Sequence, residues 1–185
     1  MQLRIKDNPE ATIRAEIIEA KALCSREGAK LVVNDYWRQA IDAGCDFIHL
    51  GQGDLARADL SAIRRAGIKF GVSTHDEAEL SRALDVSPDY IALGPVYPTI
   101  LKAMAFAPQG LPRITEWKKK IGKVPLVGIG GITLARVAGV LQAGADSAAV
   151  VTDVTRNADP EQRTRDWVKA TRGWIAISPA SFSER

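Results

Sequence analysis

The sequence predicts an α/β protein built around a parallel sheet, and three observations carry that expectation. Short β-branched runs alternate with amphipathic stretches along the 185-residue chain, the pattern of repeated βαβ units with both sheet faces covered. A glycine recurs just before a strand in Ala43-Gly44-Cys45-Asp46, Arg65-Ala66-Gly67-Ile68 and Ala143-Gly144-Ala145-Asp146, where a left-handed helix cap is needed. Polar residues gather where the apolar runs end, and in parallel α/β folds the carboxyl ends of the strands form the working face.

Taken in order, the strands are expected at 2–6, 30–34, 47–50, 69–73, 90–94, 126–130 and 147–151. Each is a short run that contains Leu, Ile, Val, Phe or Tyr. Helical periodicity falls between them at 10–27, 60–66, 76–84, 111–120, 134–143 and 160–172. The seven strands recur roughly every twenty residues, with one longer interval between Gly94 and Leu126. An open doubly wound sheet has about five or six strands and a closed (β/α) barrel has eight. The expectation is therefore a TIM (β/α)8 barrel that lacks its first βα unit, since the first strand begins at residue 2 already rich in functional-looking polar groups. Residues 1–175 read as one barrel domain and 176–185 as an irregular tail.

Composition narrows the function classes. With 46% hydrophobic residues, only 6% aromatic and 25% charged, the core must rest on aliphatic side chains, and disordered or low-complexity classes are excluded. No apolar run approaches the ~20 residues of a membrane helix, and residues 1–6 do not resemble a signal peptide. Two cysteines, Cys24 and Cys45, exclude a disulfide framework and a four-cysteine zinc site, so a reduced, cytoplasmic setting is expected. The net charge of +3, with no run of five or more basic residues, suits small anionic ligands rather than a nucleic acid.

The strand ends carry the chemistry. Ile5 separates Arg4 from Lys6, which in a strand puts both cations on one face. Asn34-Asp35 ends the second strand, Gly51-Gln52-Gly53-Asp54 the third and Ser73-Thr74-His75 the fourth, while Lys102 lies in the long segment after the fifth. Cations alone would suit a phosphate; Arg4, Lys6 and Lys102 together with Asp35 and Asp54 suit a phosphate and Mg²⁺, which favours one or two carboxylates plus waters and phosphate oxygens. The competing role for each aspartate is a helix N-cap, because both precede helical stretches. Gly130-Gly131, followed by Ile132-Thr133 and a helix, reads as a phosphate cradle beside the next strand end at Val151-Thr152. Glycines serve tight turns as well. His49, inside an apolar strand, reads as a satisfied core residue; His75 suits either acid/base work or capping. No nucleophile with a partnered base stands out.

These segments resemble thiamine phosphate synthase. The resemblance rests on Gln2-Leu3-Arg4-Ile5-Lys6, Asn34-Asp35-Tyr36-Trp37, His49-Leu50-Gly51-Gln52-Gly53-Asp54-Leu55, Gly71-Val72-Ser73-Thr74-His75, Tyr90-Ile91-Ala92-Leu93-Gly94-Pro95, Pro98-Thr99 with Lys102, and Gly128-Ile129-Gly130-Gly131-Ile132. It spans residue 2 to about residue 155. It implies a transferase on a (β/α)8 barrel that joins hydroxymethylpyrimidine diphosphate to a thiazole phosphate and releases pyrophosphate. It implies that Gln2, Leu3, Arg4, Ile5, Lys6, Asn34, Ser73 and Lys102 hold the pyrimidine diphosphate, with Arg4, Lys6, Ser73 and Lys102 catalytic. It places Mg²⁺ on Asp35 and Asp54, and the thiazole phosphate against Thr99, Ile100, Leu101, Gly131, Val151 and Thr152. The segment 96–110 would be a lid carrying Lys102.

Three departures from the family are visible. Leu101 stands where the family has Thr. Thr152-Asp153 stands where Ser and a small residue are common, so a carboxylate follows the phosphate-binding position and should repel the ligand unless it points away; removing it should be neutral or helpful. The resemblance also implies a first βα unit ahead of residue 2; a barrel without it would leave open strand edges for a neighbouring copy to complete, so a homo-oligomer is compatible with the sequence. Two other functions remain in competition. A thiazole tautomerase-like isomerase would not need the Arg4/Lys6/Asp35/Asp54 set, and an inactive phosphate-ligand-binding remnant would bind without turnover.

Overall fold

Phe47, Ile48, His49 and Leu50 form a strand with all four residues buried, as a parallel strand covered on both faces requires. That strand belongs to a computed structural model describing residues 1–6, 8–99 and 106–175. Among the described residues the strands are β1 (Gln2–Leu3), β2 (Val32–Asn34), β3 (Phe47–Leu50), β4 (Lys69–Thr74), β5 (Tyr90–Leu93), β6 (Leu126–Ile129) and β7 (Ser147–Ala149). The helices are α1 (Glu10–Arg26), α2 (Trp37–Asp42), α3 (Gln52–Leu55), α4 (Leu60–Arg65), α5 (Glu77–Asp85), α6 (Gly110–Ile121), α7 (Leu134–Gln142), α8 (Thr152–Thr155) and α9 (Pro160–Ile175). The strands keep their sequence order, the order of a (β/α) barrel wall, and a strand forms at every position the sequence predicts. None of these helices is long and apolar enough to cross a membrane.

The chain divides into two compact units, Met1–Ser73 with Ser81–Asp89, and Thr74–Leu80 with the residues from Tyr90 onward. In the first unit β1 to β4 pair in parallel, Gln2 opposite Val32, Val33 opposite Ile48, and His49 opposite Gly71. Ile13 and Ile17, one helical turn apart on α1, and Ile63 on α4 are buried, each contributing about 1.5–3 kcal/mol by leaving water. Asp59 caps α4 by accepting from the Ala62 amide at 2.8 Å. The expected glycine caps form: Gly44 and Gly67 have φ of +61° and +71°.

In the second unit β5, β6 and β7 pair in parallel, Ile91 opposite Leu126 and Val127 opposite Ser147. Ile114, Trp117 and Ile121 share the buried face of α6, following the i, i+3, i+7 spacing of an amphipathic helix. Thr74 is fully buried, so its hydroxyl needs partners. It donates to the Ala92 carbonyl and accepts from the Trp117 indole, both at 3.0 Å.

Three expectations about element ends are corrected. The first strand stops at Leu3 rather than residue 6, because its partner β2 ends at Asn34 and Asp35 turns away with φ of +67°; Arg4 and Lys6 therefore do not share a strand face. The last strand stops at Ala149 rather than 151, because Val151 bends (φ −127°, ψ −78°) to start the short α8. α9 runs to Ile175, three residues beyond the helical stretch expected at 160–172. Residues 176–185 lie outside the described residues.

Candidate functional site

In the first unit the carboxyl end of β2 is shaped by one strained residue. Asp35 adopts the left-handed region at φ +67°, which Asp tolerates better than most residues. Its amide donates to the His49 carbonyl at 2.9 Å, anchoring the turn to β3. The carboxylate, only 11% exposed, accepts from Lys6 Nζ at 2.6 Å and from Asn34 Nδ2 at 2.5 Å through Oδ2. Its Oδ1 takes a long contact of 3.5 Å from the Gly51 amide. Asp54 sits inside the single turn of α3, its Oδ1 accepting from Arg57 Nη2 at 2.9 Å.

Neither aspartate caps a helix: Tyr36 and Gly51 hold the N-cap positions of α2 and α3. The capping role set against them is therefore ruled out. Both instead line one cavity of about 330 Å³, together with Tyr36, Trp37, Arg38, Gln39 and Arg57. Lys6 does not itself line the cavity but is bonded to Asp35, which does, while Arg4 is exposed and among the described residues makes no ion pair. Arg57 and the Arg38 guanidinium stacked 4.2 Å over Trp37 are cavity residues the sequence reading did not single out. Arg57 was within reach of it, three positions after Asp54 on a helical turn.

Ser73, at the end of β4, accepts or donates at 2.7 Å with His49 Nε2. The Ser73 carbonyl accepts from Gln52 Nε2 at 2.8 Å, and Gln52 in turn accepts from Arg82. His49 is buried, as the sequence reading expects, and desolvation pushes its pKa down to about 4, against a smaller upward pull from Asp35. The ring is therefore neutral near pH 7. Gln2 and Leu3 lie in β1 and Asn34 closes β2, while Ile5 is half-buried between exposed Arg4 and Lys6.

In the second unit a smaller pocket of about 60 Å³ is walled by two segments, residues 129–132 and 149–152, with Thr99. These include Gly131, Val151 and Thr152. None of the lining residues is charged. The glycine pair has a packing cause: a Cβ on Gly131 (φ +63°) would stand 2.3 Å from the Pro98 carbonyl oxygen, and one on Gly130 2.6 Å from Pro95 Cα. Only glycine lets the chain after β5 press this close on the turn after β6. Among the described residues the amides of two lining residues, Gly131 and Thr152, donate to no protein acceptor, which leaves them available to an anion.

His75 is engaged locally. Its amide and Nδ1 both meet Glu79 Oε2, at 2.8 and 2.7 Å, at the start of α5, and its ring stacks on Phe106 at 4.6 Å. Asp153 points at α9: Arg163, Trp167 and the Leu134 amide all donate to it. These bonds, that of Arg163 foremost, hold its carboxyl below the usual carboxylate range. Cys24 and Cys45 are free and buried, and burial pushes the Cys45 thiol up. Ile100, Leu101 and Lys102 lie outside the described residues, as does the rest of the middle of the expected lid, to residue 105.

The donor set of the larger cavity suits a hard divalent cation, since it offers carboxylate oxygens and no sulfur or imidazole. Among the described residues no group of three or more His, Cys, Asp or Glu side chains gathers in a metal-holding cluster.

A family model described as thiamine monophosphate synthase matches residues 1–154. The chain is 62% identical over 177 residues to the thiamine-phosphate synthase of Rhizobium etli, an alignment covering 96% of this chain and 87% of that one. It is 50% identical to the thiamine-phosphate synthase of Cronobacter sakazakii, over 96% of this chain and 81% of the relative. Among solved structures, the thiamine phosphate pyrophosphorylase from Pyrococcus furiosus is similar at a TM-score of 0.81 and 25% identity, covering 94% of this chain and 83% of that one. The 3-hexulose-6-phosphate synthase of Salmonella typhimurium, at 17% identity and a TM-score of 0.69 over 87% of this chain and 81% of that one, shares the fold.

Proposed function

The chain belongs to the thiamine monophosphate synthase family, and on that premise we propose that it joins hydroxymethylpyrimidine diphosphate to a thiazole phosphate, giving thiamine phosphate and pyrophosphate. The observation that carries the chemistry is the cavity walled by Asp35 and Asp54 with Lys6 and Arg57 bonded to them. Two carboxylates beside two cations suit a diphosphate and its divalent counterion, whereas a bare monophosphate would be repelled by the carboxylates.

The bond that breaks joins the pyrimidine methylene carbon to the diphosphate oxygen, and the electron pair leaves with pyrophosphate. The carbon–nitrogen bond forms when the thiazole nitrogen supplies its lone pair to that carbon. Asp35 and Asp54 would hold Mg²⁺, whose charge stabilises the departing oxygens. Lys6, held on Asp35, would meet the same developing charge, as would Arg4 and Lys102 by the family resemblance. Asn34 and Ser73 orient the pyrimidine diphosphate. Ser73 is itself fixed by the neutral His49, so it is presented in one rotamer rather than searching for one. The thiazole phosphate takes the second unit's pocket, where the Gly131 and Thr152 amides face an anion without a competing acceptor. No protein nucleophile is required. Water must be excluded, because it would capture the electron-poor carbon.

The carboxylate pair counts against an isomerase, because moving a proton within a thiazole has no use for a diphosphate-and-cation site. Pyrophosphate release by the 185-residue chain tests both the synthase and the non-catalytic binder. Release is expected only with both substrates present and is expected to stop when Mg²⁺ is chelated. No release with both substrates overturns the synthase reading, and release untouched by chelation removes the metal role of Asp35 and Asp54.

A further inference from the structure

The carboxylate that should repel a phosphate is turned into a fastening. Asp153 follows Thr152 directly, yet its side chain is only 12% exposed and faces α9. Its Oδ2 accepts from Arg163 Nε at 2.9 Å and Trp167 Nε1 at 2.8 Å, and Oδ1 accepts from Arg163 Nη2 at 2.9 Å. This two-pronged guanidinium–carboxylate contact is the strongest and most directional form of ion pair. Trp167 is buried, so its indole N–H depends on this acceptor. A fourth donor, the Leu134 amide at 3.3 Å, comes from the first turn of α7, where helical N–H groups have no partner of their own.

The placement of these four bonds gives them a consequence at the pocket. One pocket wall is residues 129–132 and the other is residues 149–152. Leu134 lies two positions after the first wall and Asp153 one position after the second. The carboxylate therefore ties the two walls to each other and both to α9. The arginine neutralises it at the same time, so the local charge no longer opposes an anion.

We propose that Asp153, paired with Arg163, is a positioning residue that sets the spacing of the two pocket walls for the phosphate of the thiazole substrate. This rests on the reading of the pocket as the thiazole-phosphate site. It reverses the expectation drawn from sequence, that removing the carboxylate would be neutral or helpful. The polar atoms that meet the phosphate are not those of Asp153; it acts through the walls.

Steady-state kinetics on Asp153→Asn, Arg163→Gln and the double variant test it, each assayed well below its own melting midpoint. Each single variant is expected to raise KM for the thiazole phosphate about tenfold, as a misplacement of binding groups does, with KM for the pyrimidine diphosphate within about twofold of the parent. The double variant should be no worse than the poorer single one, because both changes break one pair. A general loss of packing would raise both KM values and make the two changes add, and either result overturns the assignment. So would an unchanged thiazole phosphate KM. If Asp153→Asn does not fold, Arg163→Gln carries the same measurement with the carboxylate still available to Trp167 and Leu134. A parent chain that releases no pyrophosphate overturns the functional reading and this one with it, whereas an active parent with unselective variants overturns this one only.

Discussion

The cavity of the first unit and the pocket of the second differ in what they are made of. The first is walled by charged side chains that arrive with their own counterions, Lys6 on Asp35 and Arg57 on Asp54. The second is walled by glycine, threonine and aliphatic residues, and its nearest carboxylate is turned outward onto Arg163. Charged walls suit a multiply charged ligand that brings a cation, because Asp35 and Asp54 would hold the cation and Lys6 and Arg57 would be left to meet the ligand's negative charge. A backbone wall suits a single phosphate, and on the proposed reading it would work by shape, its amides held at one spacing by glycine contacts inside and a salt bridge outside. On that reading one site would be tuned by charge and the other by fit.

The largest expected effect would break the charged side of that contrast. Asp54→Ala should lower kcat/KM by about a thousandfold, the scale of losing a group that stabilises transition-state charge, with the thermal midpoint little moved. Activity close to the parent's would show that the carboxylates are structural. His49→Gln probes the support beneath the same site through acid stability. His49 titrates at about 4 in the folded chain but near 6.5 when unfolded, so below pH ~6.5 the unfolded chain takes the proton first. Stability falls as pH drops from ~6.5 towards ~4, by up to ~3 kcal/mol. Denaturant unfolding at several pH values should show that slope in the parent and a shallower one in the variant; equal slopes would mean His49 does not carry it.

Gly131→Ala sharpens the shape-based side. The new Cβ meets the Pro98 carbonyl and the backbone sits at positive φ, a cost of about 1–3 kcal/mol in stability, and KM for the thiazole phosphate should rise with it. An unchanged melting midpoint together with unchanged KM would mean the pocket yields. The smallest effect belongs to ionic strength. Arg57 is 73% exposed in its pair with Asp54, so Arg57→Ala should cost less than ~1 kcal/mol in stability. Added salt should raise KM for the pyrimidine diphosphate more than KM for the thiazole phosphate, since screening weakens exposed charge and leaves hydrogen bonding largely alone. Equal salt responses would erase the distinction between the two sites.

Much of this arrangement was legible before any coordinates. The strand positions followed from apolar runs, because a buried parallel strand cannot hide its composition, and Phe47–Leu50 formed with the bounds expected. His49 was recognisable as a core residue by its apolar neighbours. The ends were harder. The first strand was read three residues too long because Ile5 alternates correctly with Arg4 and Lys6, while pairing depends on where β2 stops. The helix-cap alternative for Asp35 and Asp54 was open in the sequence and closed only by backbone angles. The glycine pair read as a phosphate cradle, yet its packing cause lies against Pro95 and Pro98, more than thirty positions away in the chain.

Periodicity, glycine placement and the kinds of residue at strand ends are local properties, so the amino-acid sequence by itself determined the parallel α/β class, the strand order and the candidate cations and carboxylates. Direction is not local. Whether Asp153 faces a ligand or a helix depends on Arg163 and Trp167, ten and fourteen residues onward, and whether Asp35 caps a helix or walls a cavity depends on a φ angle held by a bond to the next strand. Only the tertiary structure decided these, because a charged side chain goes where its partners are, and partners distant in sequence meet only once the chain has folded.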